Sequence, residues 1–241
     1  YHRTMKSLDL RIDGHVAEVT LIGPGKGNAM GPDLWKELPE VFRRLDRDPE
    51  VRAVIVSGAG GNFSYGLDLA AAAANFRAAG PMLAGERTSF FDHILELQNA
   101  VTAVEECRKP VIAAVAGWCI GGGLDLIAAC DIRYCSADAK FSLREAKIAI
   151  VADLGSLQRL PWIIGEGATR ELALTGRDFP ASYALQIGLV NAVHATADEV
   201  MEAARATARE IAANPPLAVQ GTKRVMNQCR GKSVAEGLGY V

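Results

Sequence analysis

No apolar run in these 241 residues reaches the ~18 residues that a membrane-spanning helix needs, and no charged-then-apolar leader opens the chain. A membrane partner is therefore not expected. Basic residues are not in excess: 26 Lys and Arg face 28 Asp and Glu, for a net charge of -2. A general nucleic-acid binder would carry a basic face, so no nucleic-acid partner is expected either. The five cysteines (Cys107, Cys119, Cys130, Cys135 and Cys229) form no CxxC pair and lie mostly in apolar segments. They read as reduced, small core residues of a protein kept in a reducing compartment. His2, His15, His93 and His194 stand apart, with no carboxylate or cysteine at metal-ligand spacing, and no metal site is expected. HExxH, GxSxG and GxxxxGK are all missing, which removes the usual zinc, serine and nucleotide hydrolases. Any chemistry falls to acids and backbone amides.

Those groups gather between Lys109 and Leu160. KPVIAAVAGWCIGGGLDLIAACDIRY sets a triple glycine and Asp125 in apolar sequence, and KFSLREAKIAIVADLGSLQRL adds Glu145 and Asp153. A charged carboxylate buried among Leu, Ile and Val costs several kcal/mol unless it is paired or neutralised. Taken singly, each acid has an ordinary reading. Asp125 suits the first turn of a helix, Glu145 a solvated surface beside Arg144 and Lys147, and Asp153 a helix N-cap. Three of them together call for another explanation.

Around this stretch the chain alternates strands and helices. LDLRI and HVAEVTLI flank Asp13-Gly14 and predict a β-hairpin. Leu34, Trp35, Leu38, Val41, Phe42 and Leu45 recur at helical spacing over Pro32 to Leu45, with a possible kink at Pro39. Val51 to Ser57 and Val111 to Val115 are β-branched runs that read as buried parallel strands. Residues 70–87, Ala-rich with two glycines and a proline, read as a disordered or mobile cover, and Thr88 to Cys107 as an amphipathic helix packed on the sheet. After Val193 only helices are expected, over Asp198 to Ala213 and Thr222 to Cys229, broken at Asn214-Pro215-Pro216. Tyr1 in place of an initiator Met, and a last segment that stops inside a helical pattern, point to a longer natural chain.

Two turns offer backbone donors. Gly121-Gly122-Gly123 lies between the strand VIAAV and the helix-like LDLIAAC, where helix-start amides point at a ligand and glycines allow close approach. In GNFSYGLDL, residues 61–69, Gly66 permits a turn that would leave the Tyr65 amide free. Tight packing and an ordinary strand-to-helix turn are the plain alternatives.

With these elements in view, the chain resembles the crotonase superfamily, also called the enoyl-CoA hydratase/isomerase family, over nearly its whole length. The matching segments are GKGNAM (25–30), RAVIVSGAGGNFSYGLDL (52–69), residues 109–134, QRLP (158–161) and ANPPLAVQGTK (213–223). The resemblance implies an α/β crotonase (ClpP/crotonase-like) fold, a spiral of ββα units over residues 1–193. It adds a C-terminal helical trimerisation region over 194–241, and with it a homotrimer or homohexamer. It implies an acyl-CoA thioester substrate, coenzyme A entering only as part of that substrate, and no separate cofactor. The thioester oxygen would be held by the amides of Tyr65 and Gly122. CoA contacts would come from Lys26, Asn28, Ala29, Phe63, Ser64, Gly66, Leu67, Asp68, Leu69 and Gly123. A bacterial member would be cytoplasmic, a eukaryotic one mitochondrial or peroxisomal.

Hydratases of this family carry glutamates at the positions of Asp125 and Glu145, and usually glycine at that of Asp153. Asp125 is shorter by one methylene, about 1.5 Å of reach. The triad Asp125, Glu145 and Asp153 resembles that of Δ3,5-Δ2,4-dienoyl-CoA isomerases of fatty-acid β-oxidation, with Glu145 and Asp153 as the proton-transfer pair and Asp125 in support. Three acids in a poorly solvated pocket cannot all ionise easily, so at least one should keep a proton at neutral pH. The alternatives are an enoyl-CoA hydratase and, from another class, an RNA-binding or non-catalytic homologue.

Overall fold

The computed structural model describes residues 1–25, 27–72 and 84–240. The predicted hairpin is present: β2 (Leu8–Asp13) and β3 (Val16–Leu21) pair antiparallel with Asp13 opposite Val16, and β1 (His2–Thr4) lines the outer edge of β2. Beyond β3 the sheet continues in parallel through β4 (Ala53–Gly58), β5 (Val111–Val115), β7 (Ile132–Ser136) and β10 (Ala192–His194). A smaller sheet joins β6 (Trp118–Ile120), β8 (Lys140–Ser142) and β9 (Asp178–Pro180). Successive strands therefore go first to the large sheet and then to the small one: β5 then β6, β7 then β8. A helix α3 (Gly122–Ala128) follows β6, and a 3-10 turn at Glu145–Ile148 followed by α4 (Ser156–Thr175) comes after β8. This is the expected spiral of strand, strand and helix.

Helix α1 (Pro32–Arg47) buries Leu34, Trp35, Leu38, Val41, Phe42 and Leu45, the predicted face, and runs on through Pro39. Helix α2 (Ala84–Glu106) packs against α1, and its second half sends Ala100, Val101 and Val104 into the main core. The expected cover over 70–87 falls mainly outside the described residues; 69–72 form a helical turn and 84–87 open α2.

Strand alternation explains the two cores. Val54, Val56, Val111, Ala113 and Val115 face the main core with Phe42 and Val101. Ala53, Ile55, Ile112 and Ala114 point the other way, against Val200, Ala204 and Ala208 of α6 (Ala197–Ala213), which follows the short α5 (Ala181–Gln186). Position 193/194 falls inside β10, and α6 follows as the helix that covers the outer face of the sheet. The small side chains of Ala204 and Ala208 let α6 lie close on the strands, so it belongs to the core, and only α7 (Pro216–Cys229) and α8 (Val234–Leu238) lie beyond it. Among the described residues no helix is long and apolar enough to cross a membrane.

Candidate active site

The triple glycine ends β6 and starts α3, and close neighbours explain it. Gly121 has φ +50°, and a Cβ there would sit 3.1 Å from Glu145 Oε1. A Cβ on Gly122 would fall 2.8 Å from Met30 Sδ, and one on Gly123 3.1 Å from Ser64 Cβ. Gly66 backs onto the same turn: its φ is +80°, and a Cβ there would meet Ile120 O at 2.7 Å and Gly122 N at 3.1 Å. Only glycine fits where two backbones run this close.

The two turns meet, but not through the amide expected. Tyr65 N–H donates to Gly27 O at 2.7 Å and is not available to a ligand. Gly66 N–H donates to Ser64 Oγ, and Asp68 N–H to Met30 O. Among the described residues the amides of Leu67 and Gly122 have no protein acceptor, and both residues line one cavity of about 190 Å³. The donor available to pair with Gly122 is thus Leu67, two residues beyond the one read from sequence. Pairing of Tyr65 with the 27–30 segment decides this.

Several expected CoA contacts hold the loops together. The Asn28 amide nitrogen donates to Ala59 O, Asn62 O and Phe63 O, and the residue is buried. Phe63 is a core side chain, Ser64 Oγ donates to Asn28 O, and Gly123 packs on Ser64. Their side chains are enclosed and engaged within the protein. Ala29 is half-buried in the same loop, and Lys26 lies outside the described residues. Asp68 accepts from Ala70 N and Ala71 N, capping the turn at 69–72, and lines the cavity with Tyr65, Leu67 and Leu69.

All three acids line that cavity too. Asp125, on α3, is 1% exposed and accepts from Ser156 N at 2.6 Å. Burial pushes its pKa up to about 7; the negative charges of Glu145 and Asp153 add to this, and donation from Ser156 opposes it. Glu145, on the 3-10 turn, has its Oε2 buried without a partner, and burial first, then the Asp153 charge, raises its pKa. It is not the solvated surface residue its neighbours imply. Asp153 is the most exposed of the three acids, though partial desolvation still raises its carboxyl, and it is not a cap: the residue before α4 is Gly155, and no side chain caps that helix. Its backbone is tied from α2, where Gln98 Nε2 donates to Asp153 O at 2.8 Å. Arg159 Nη1 holds the neighbouring Leu154 O at 3.2 Å, while its Nε pairs with Glu105.

The apolar wall went unrecognised in the sequence. Trp35 of α1, Phe90, Ile94 and Leu97 of α2, and Ile150 and Leu154 line the same cavity as the carboxylates. Their three- and four-residue spacing on a helix is the same for core and for cavity, so only the periodicity was visible. Among the described residues no cluster of His, Cys, Asp and Glu has the arrangement of a metal site.

The chain thus combines a two-sheet spiral with two free backbone donors and three carboxylates around one apolar cavity. The chain belongs to the enoyl-CoA hydratase/isomerase family, whose sequence profile matches residues 11–238. It is 43% identical over 242 residues to the peroxisomal Delta(3,5)-Delta(2,4)-dienoyl-CoA isomerase of Arabidopsis thaliana, covering 100% of this chain and 87% of that protein. Against the mitochondrial protein of the same name from Homo sapiens the identity is 44%, over 94% of this chain and 70% of the relative. A structure from Thermobifida fusca YX solved in complex with CoA superposes with a TM-score of 0.84 at 33% identity, covering 96% of this chain and 88% of that one.

Proposed function

We propose that this chain converts 3,5-dienoyl-CoA to 2,4-dienoyl-CoA in fatty-acid β-oxidation, the activity for which its Arabidopsis and human relatives are named. The observation that carries this reading is the presence of Glu145 and Asp153, with buried Asp125, around the cavity that the Leu67 and Gly122 amides line. The reaction removes a proton from C2, shifts both double bonds by one carbon and delivers a proton to C6, so acid/base groups must act at two separated points. Glu145 and Asp153 form that pair. Loss of the C2 proton puts negative charge on the thioester oxygen, where Leu67 N–H and Gly122 N–H donate; each such preorganised donor contributes about 3–4 kcal/mol in the transition state. Asp125, anchored on Ser156 N, modulates the charge of the pair. The CoA portion follows the 27–30 loop and the 65–69 turn.

The test offers the purified protein a 3,5-dienoyl-CoA and a 2-enoyl-CoA. Isomerisation of the diene, with water addition to the enoyl thioester slower by two orders of magnitude or more, is the expected result. Efficient hydration without diene isomerisation would sink this reading in favour of a hydratase. Salt-sensitive RNA binding with neither activity would point to the non-catalytic alternative.

The chain is also proposed to assemble as a trimer or hexamer. Val151, Trp162, Leu174, Leu217 and Val234 are 62–83% exposed, an apolar surface concentrated in the second half of the chain. Light scattering should give three or six times the 25.6 kDa of one chain, and a monomer at micromolar concentration would refute the assembly.

A further inference from the structure

Ser156 is placed where packing alone does not require a hydroxyl. It is the first residue of α4, fully buried at 0% exposure, and its amide makes the 2.6 Å bond to Asp125 Oδ1. Its Oγ is buried and completes no hydrogen bond. A buried donor in that state destabilises a fold, and alanine would fill nearly the same volume without the penalty. The backbone around it is fixed on both sides. Gly155 holds φ +112°, a conformation that favours glycine, and Arg159 Nη1 lies against it and donates to Leu154 O. That arrangement keeps Ser156, through its backbone amide, beside the carboxyl of Asp125.

We propose that Ser156 is a positioning residue for the three acids: its amide fixes Asp125 Oδ1, and its hydroxyl rotates to donate to the same carboxyl when that carboxyl is ionised. The Oγ–H then sets how readily Asp125 gives up its proton, and so how much negative charge Glu145 and Asp153 meet during turnover. The hydroxyl suits this because it both donates and accepts, and it can follow a carboxyl through a change of charge. The titratable groups facing Asp125 are Glu145 from the 3-10 turn, Asp153 from the loop before α4, and Cys119 from β6. Arg159 of α4 is engaged with Glu105 and the Leu154 carbonyl instead. Ser156 is thus left as the donor that answers an ionised Asp125.

The kinetic part of this inference rests on the isomerase reading; the titration of Asp125 does not. Infrared difference spectra over a pH series identify the protonated Asp125 carboxyl by its loss in Asp125→Asn. In Ser156→Ala the midpoint of that band should move up by about one pH unit, because a donor to the charged form has been removed. Ser156→Cys, close in size and a weaker donor, should fall between the two. With the dienoyl substrate, the pH profile of kcat should move the same way, with KM within about twofold. A midpoint unchanged in Ser156→Ala would overturn the proposal, whatever happens to the melting temperature. So would a wild-type protein in which no Asp125 band titrates. If the midpoint moves and no acyl-CoA turns over, the proposal stands and the isomerase reading fails.

Discussion

Asp153→Asn is expected to lower kcat for diene isomerisation by about 10²- to 10⁴-fold, with KM within about threefold and the fold intact. Asparagine keeps the size of the side chain and removes its capacity to take or give a proton. Had Asp153 capped α4, the same change would cost about 1 kcal/mol of stability and spare the turnover. The helix instead starts behind Gly155 with no side-chain cap, and the Asp153 loop is held through its neighbours' backbone, by Gln98 on Asp153 O and by Arg159 on Leu154 O. Neither bond involves the carboxyl. Glu145→Gln should show a loss of similar size, because Glu145 Oε2 is buried, bonded to nothing in the protein and open to proton transfer. The double variant should be little worse than either single one, as expected of two groups that act in one proton relay. Steady-state kinetics with a 3,5-dienoyl-CoA, read beside calorimetric melting, decides the matter. Full turnover with a lowered melting temperature would return Asp153 to a structural role.

Asp125 was readable in the sequence because the rule that exposes it is local, and Glu145 and Asp153 stood out only in combination with it. A carboxylate flanked by GGGL and LIAAC cannot be charged and buried without a partner, whatever the rest of the chain does. The hairpin at Asp13-Gly14 and the buried face of α1 follow from equally short-range patterns. The choice of oxyanion amide does not. Tyr65 and Leu67 are both amides beside Gly66, and which one is free depends on a bond from Tyr65 to Gly27, a residue far away in the chain. The bonds that Asn28 and Ser64 make are non-local in the same way. Polar side chains in a ligand-binding loop look alike in sequence whether they face the ligand or, as here, tie the loop to the 59–63 segment. Strands end at His194 while the sheet still has an uncovered face, which α6 then fills. Ala204 and Ala208, spaced by four, carried that signal.

Asp125→Asn should raise the melting temperature at pH 8 and leave it nearly unchanged at pH 4. The unfolded chain releases the Asp125 proton near pH 3.8, whereas the folded protein holds it until about pH 7. Between those values the folded state binds the extra proton, so stability falls as pH rises through this window. Above about pH 7 the carboxylate is ionised and buried, and the accumulated penalty is on the order of 4 kcal/mol. Below pH 3.8 both states are protonated and the penalty vanishes. Asparagine is neutral throughout, and its Oδ1 still accepts from Ser156 N, so it removes the charge without losing the anchor. For a chain of this length the gain at pH 8 corresponds to several degrees and up to about 10 °C. The same substitution should lower kcat, because the charge that biases Glu145 and Asp153 is gone; stability and activity then move in opposite directions, as is common where a site holds a group against its burial cost. A drop in melting temperature at pH 8 would show that the fold holds Asp125 charged through favourable partners, and that the proton the three acids retain at neutral pH sits on Glu145 or Asp153 instead.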